Sequence, residues 1–273
     1  MIQSDMNTTL IASLAIACYL ASAIVIAIRL FRPAPENKLP RGLGLGLIFI
    51  GLNLHAAMLF QSIMSNGGIN LSFFGAASLI AWTALLLLLF SSINKPVENL
   101  GIALLPVAAV VIILQLHFPA KHFLSSTAPW GLQIHVLISL LAYSLLALAS
   151  VQAVLLAVQD HHLRHRHPGG FIRSLPPLQT MEVLLFEMII LGFALLTLGL
   201  ISGFVFLEDI FAQRLVHKTI LSIAAWLVFG TLLWGRFRFG WRGQKALIWT
   251  LVGFVVLMLA YFGSKAVIEL ILT

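Results

Sequence analysis

The chain has 273 residues, of which 60% are hydrophobic and only 9% charged, and its mean hydropathy is +1.05. No water-soluble domain of this length has such a composition. The formal net charge of +7 would raise the question of nucleic acid in a soluble protein, but here the cations fall between apolar runs, so the expected partner is the lipid bilayer and not nucleic acid.

A spanning helix needs about 20 mostly apolar residues, and eight runs of that kind follow one another along the chain. The first, Thr8–Leu30, contains Ala21, Ser22 and Ala23, which imitate a signal cleavage site. Nothing basic precedes it, and Arg29 and Arg32 follow it, so it reads as a retained helix. The second, Leu43–Met64, carries His55 near its middle, where a polar group is costly and needs a partner or a function. The third and fourth are Leu71–Ile93 and Leu100–His117. A segment at 118–132 then leads to the fifth, Gln133–Val158, whose His135, Ser139 and Tyr143 form one polar stripe at i, i+4 and i+8.

The loop 159–180 holds His161, His162, His165 and His167 among Arg164 and Arg166, and reads as a solvated topogenic loop that divides the bundle into halves. The sixth run, Met181–Phe206, has Glu182 and Glu187 near one end, with Glu187 expected inside the bundle, and Gly192, Gly199 and Gly203 spaced for close helix packing. The seventh, Val216–Gly235, opens on His217 between Arg214 and Lys218. The strip Arg236–Lys245, with Phe237, Phe239 and Trp241 interleaved, reads as an interfacial anchor. The eighth run is Ala246–Leu270.

The expected fold is therefore all-α: a polytopic membrane bundle of about eight transmembrane helices in a single integral membrane domain over 1–273. Helices 1–4 occupy 1–117, an outer segment 118–132, and helices 5–8 the rest. Of the 16 Lys and Arg residues, 12 lie in the loops 1–2, 3–4, 5–6 and 7–8 and 4 on the other side. The positive-inside rule makes the first side cytoplasmic and puts both termini outside. Cys18 is the only cysteine, so disulfides, thiolate zinc sites and covalent haem attachment are excluded. Hydrolytic chemistry has no residue constellation behind it, and no enzymatic activity is expected.

Any metal or haem must then be held by histidine. Haem b needs one or two neutral imidazoles, an apolar slot and cations for its propionates. His135 and His217, both at outer helix ends, with Lys218, Arg214 and Lys121 nearby, could provide them. Interfacial histidines that merely hydrogen-bond are common, and from composition alone that reading of the same residues leads. His55 lies about 15 Å deeper at 1.5 Å per residue, so it is expected to serve a separate site or a structural hydrogen bond.

Several stretches resemble one known family. Trp130-Gly-Leu-Gln-Ile-His135 followed by Leu140-Leu-Ala-Tyr143 is similar to the helix after the first external haem-ligand histidine of the cytochrome c assembly family. Leu191-Gly-Phe-Ala-Leu-Leu-Thr-Leu-Gly-Leu-Ile-Ser-Gly203, Trp226-Leu-Val-Phe, Gly240-Trp-Arg-Gly243 and Tyr261-Phe-Gly263 follow the order of its carboxy-terminal half, and His55 fits its intramembrane histidine. Three departures stand out. Leu207–Val216 holds no tryptophan where the family's haem-delivering members have a tryptophan-rich external segment. Trp234 occupies the second intramembrane histidine position. The chain ends at Thr273, before a second external histidine would occur. The resemblance is thus to the shorter, HemX-like branch. It implies a haem-b-binding or haem-handling inner-membrane protein, acting in haem relay, tetrapyrrole regulation or respiratory-complex assembly, with a membrane-protein partner in a cytochrome or haem pathway. The resemblance places His135 and His55 and leaves His217 as an alternative ligand; with the residue pattern, the candidate site residues are His135, His217, His55, Lys218, Arg214 and Tyr143. A haem-free scaffold subunit and a proton-coupled transporter using Glu187 and His55 are the alternatives.

Overall fold

The computed structural model describes residues 2–32, 39–118, 123–125, 127–164, 175–206, 216–263 and 265. The chain order is α1 (Ile2–Phe31), α2 (Arg41–Asn66), β1 (Gly68–Asn70), α3 (Phe73–Asn94), a short 3₁₀ turn (Glu98–Leu100), α4 (Gly101–His117), β2 (Phe123–Ser125), α5 (Trp130–Arg164), α6 (Leu178–Phe206), α7 (Val216–Phe239) and α8 (Gln244–Met258), which runs on into a π-helical turn (Leu259–Gly263). All eight helices are long and apolar enough to cross a membrane. Large apolar side chains such as Ile24, Phe60, Phe90 and Val205 stand exposed on them, as expected of a surface that lipid rather than water covers.

The helices form two compact units. One takes in the chain up to Thr127 together with Leu175 and Pro176; in it α1 packs on α2 and α4, and α3 on the same two, closing a ring of four. The other comprises residues from Ala128 on in α5 to α8, where α5 and α7 each pack on α6 and α8 in a second ring of four. The division therefore falls between α4 and α5. The 159–180 loop does not make it, because the α5–α6 pair it connects is the most extensively packed in the molecule.

Glycines account for that close approach. A Cβ on Gly192 would come within 2.7 Å of the Leu146 side chain, and one on Gly199 would touch Ser139 Oγ at 3.5 Å. Helix α5 is longer than the sequence predicts, because Trp130–Leu132 and Gln159–Arg164 continue its hydrogen-bonded backbone at both ends.

The two strands are an addition to the expected all-helical plan. They pair antiparallel, Gly68 opposite Ser125 and Asn70 opposite Phe123. Gly67 at φ 68° ends α2 in the left-handed region that glycine enters without steric cost. Asn70 then starts α3, its Oδ1 accepting from the Ser72 N–H at 3.0 Å and the Ser72 hydroxyl at 2.6 Å. Pairing of the α2–α3 and α4–α5 connections puts both at one end of that four-helix unit, as an up-and-down order requires.

Candidate functional site

Polar side chains inside apolar helices are satisfied mostly by their own backbone. The hydroxyls of Ser92, Ser144, Ser150, Thr197 and Thr250 each donate to the carbonyl four residues back, which spares them a partner in lipid. His117 and His162, near helix ends, do the same, whereas His55 and His135 reach across to neighbouring helices.

His135 lies one turn into α5, half-buried. Its Nδ1 is 3.1 Å from the Gly199 carbonyl and 3.0 Å from Ser202 Oγ, both on α6, and Ser202 in turn donates to the same carbonyl at 2.8 Å. A carbonyl oxygen only accepts, so Nδ1 carries the proton. Among the described residues Nε2 makes no hydrogen bond, so in the neutral ring it is Nε2 that keeps the lone pair. This is the arrangement of a metal-ligating histidine whose second nitrogen is anchored by a carbonyl. His135 would then be the residue to hold haem iron, through one imidazole nitrogen. The close approach of α5 and α6 at Gly199 is what brings the carbonyl within reach.

Below His135 the predicted stripe parts between two neighbours. Ser139 faces Gly199 on α6, whereas buried Tyr143 donates to the Leu257 carbonyl of α8 at 2.9 Å. Tyr143 also meets the Tyr261 ring edge to face, with centroids 6.2 Å apart. Two cations approach that same Tyr261 ring: Lys218 Nζ at 5.5 Å and Lys265 Nζ at 5.4 Å from its centroid. The π-helical turn Leu259–Gly263 carries Tyr261, and such turns recur at functional sites. Tyr261 and Lys265 were not among the expected site residues. Their only sequence signal was the Tyr-Phe-Gly stretch with a lysine two residues on.

His217 is exposed at the start of α7. It makes neither a hydrogen bond nor a ring contact with His135, whose partners are all on α6. Arg214, Lys121, His165 and His167 lie outside the described residues. His161 and His162 sit ring to ring at 5.9 Å near the end of α5, where Asp160 pairs with Arg164 at 3.0 Å. Among the described residues no three His, Cys, Asp or Glu side chains come together as a metal site.

His55 is fully buried in the α1–α4 unit and commits both nitrogens. Nδ1 is 3.2 Å from the Tyr19 hydroxyl of α1, and Nε2 is 2.8 Å from Ser78 Oγ of α3. In either tautomer both ring nitrogens are engaged by hydroxyls, the structural hydrogen bonding that was one of its two expected roles. A Cβ on Gly51 would meet the Tyr19 ring at 2.6 Å, so that glycine is what admits the ring beside His55.

Glu187 is exposed on α6 and not inside the bundle, because its position falls between the buried Phe186 and Met188 on the outer face of the helix. Glu182 instead pairs with Arg236 of α7, and the guanidinium lies 4.4 Å over the Phe186 ring and donates to the Trp241 carbonyl at 3.2 Å. A transporter site built from Glu187 and His55 thus has neither a buried carboxylate nor an available imidazole.

The Cytochrome C assembly protein family model matches residues 47–272 of the chain. The chain is 34% identical over 230 residues to the inner membrane protein YpjD of Escherichia coli strain K12, covering 81% of this chain and 85% of that protein. It is 31% identical over 199 residues to an uncharacterized 28.8 kDa protein of Azospirillum brasilense, with 71% and 73% covered. Against the cytochrome c biogenesis protein CcsA of Porphyra purpurea it is 25% identical over 265 residues, with 80% and 82% covered. No solved structure matches it significantly.

Proposed function

The chain belongs to the Cytochrome C assembly protein family, and from that premise we propose that it is a haem-b-handling protein of the bacterial inner membrane that performs no covalent chemistry itself. The observation that carries the reading is the state of His135, half-buried near the start of α5: Nδ1 is anchored to the Gly199 carbonyl, and Nε2 makes no hydrogen bond among the described residues. Haem, when bound, supplies an iron centre for relay or regulation. The chain's own contribution is to hold one neutral imidazole in a fixed tautomer and to offer cations for the propionates. Lys218 and Lys265, both held at Tyr261, supply those cations, with Arg214 and Lys121 as further candidates, and exposed His217 offers a second imidazole.

The relatives named for cytochrome c biogenesis support a place in a cytochrome or haem pathway, with a membrane protein of that pathway as partner, and YpjD supports the inner membrane. The distribution of Lys and Arg supports both termini outside. Reporter fusions after Phe31, Ile93, Asp160 and Arg238 then register as cytoplasmic and fusions at Asn66, Ser125 and Asp209 as external; the reverse pattern refutes the orientation.

The function is tested by the visible spectrum of protein purified in mild detergent from haem-replete cells. A Soret band at about one haem per chain is expected. A colourless protein that co-purifies with a membrane partner would instead identify a haem-free scaffold.

A further inference from the structure

We propose that the α1–α4 unit holds a binding site for a phosphate group, with Arg29 as its principal ligand. A cavity of about 130 Å³ lies where the end of α1, the start of α2 and the connection from α3 to α4 converge, and Arg29, Arg41, Glu98 and Asn99 line it over the apolar Ile26 and Leu30. Arg41 and Glu98 neutralise each other: Nε to Oε1 is 2.9 Å and Nη2 to Oε2 is 3.1 Å, and the same Nη2 also donates to the Ser92 carbonyl. Arg29 is different. It is half-buried, and among the described residues it makes no hydrogen bond and no ion pair. The side-chain amide of Asn99, on the same cavity wall, also makes none.

The residual charge of the cavity is that of Arg29, one positive unit, since Arg41 and Glu98 cancel. A half-buried guanidinium with no counter-ion among the described residues is costly, and its planar fork of N–H donors fits the oxygens of a phosphate bidentately. The volume is several times the 10–15 Å³ or so that one water needs but well below the roughly 300 Å³ at which pockets for whole cofactors begin. The site therefore takes one phosphate group and not a nucleotide. That group can be the phosphodiester of an anionic lipid, with its glycerol against Ile26 and Leu30, or inorganic phosphate.

The test uses full-length protein, delipidated in detergent. Native mass spectrometry with dioleoylphosphatidylglycerol reads the lipid source, and the shift of thermal unfolding with inorganic phosphate reads the free anion. One of the two is expected to bind at one per chain. Arg29→Gln should weaken it by about tenfold or more, the worth of a charge-assisted hydrogen bond. Arg32→Gln, which removes the same charge from the exposed end of α1, should change it less than about twofold, as expected of a screened surface charge. Should Arg29→Gln fail to fold, Asn99→Ala should weaken the same ligand while leaving the unfolding temperature of ligand-free protein unchanged. Binding of neither probe, or equal weakening by Arg29→Gln and Arg32→Gln, overturns the site.

Discussion

His55 and His135 both sit on apolar helices and both reach across to a neighbouring helix, but His55 spends both ring nitrogens on the Tyr19 and Ser78 hydroxyls while His135 spends one on α6. The difference is one of termination. The His55 network closes inside its unit, with no atom left over, as a buried polar group in lipid must. The network of His135 is open: Gly199 and Ser202 hold Nδ1, and the other nitrogen makes no hydrogen bond among the described residues. Closed networks hold helices together, and open ones recruit a ligand.

The sharpest way to break this comparison is to exchange each ring for a methyl group. His135→Ala is expected to abolish the Soret band of the purified protein with little loss of expression, because the residue is half-exposed and its removal leaves only the Gly199 carbonyl, which Ser202 still satisfies. His55→Ala should do the opposite, keeping the haem-to-protein ratio of wild type while costing about 2–4 kcal/mol of stability, from a ring-sized cavity and two stranded hydroxyls. Thermal unfolding in detergent followed by fluorescence measures the second effect and the absorption spectrum the first. If His55→Ala loses haem while His135→Ala retains it, the two histidines have been assigned the wrong way round.

Finer changes sharpen the contrast. Gly51→Ala places a Cβ at 2.6 Å from the Tyr19 ring, and the ring is too stiff to yield cheaply, so the variant should lose about 1–3 kcal/mol in the same unfolding assay without touching the spectrum. Ser202→Ala is the smallest expected effect. It removes one of the two hydrogen bonds to His135 Nδ1 and should cost about 0.5–1.5 kcal/mol, appearing as weaker haem retention on dilution while unfolding of the haem-free protein barely moves. A Ser202→Ala variant indistinguishable from wild type in haem retention would show that the Gly199 carbonyl alone orients the ring.

The membrane helices were legible in the sequence because lipid imposes a length and a composition that few other environments require. All eight runs reappear as helices. His135 and Gly199 were legible as a polar residue and a small one, and their family context was legible from the order of the surrounding motifs. Their contact was not, since it depends on the register between α5 and α6, which the hydrophobic pattern leaves undetermined when both helices are apolar all round. The same ambiguity misplaced Glu187, for which one step around the helix separates the core from its outer face.

Composition and charge by themselves determined that the chain has eight runs long and apolar enough to span the membrane and that haem has no pair of cysteines for covalent attachment, since Cys18 stands alone. Only the tertiary structure decided which histidine has a nitrogen to spare, that Tyr261 and Lys265 belong beside Tyr143 and Lys218, and that Arg29 lines a cavity while Arg41 is neutralised by Glu98. The physical reason is that hydrophobicity accumulates along a run of about 20 residues and is read without knowing the neighbours, whereas a hydrogen bond or ion pair exists only once two helices have chosen their faces and register.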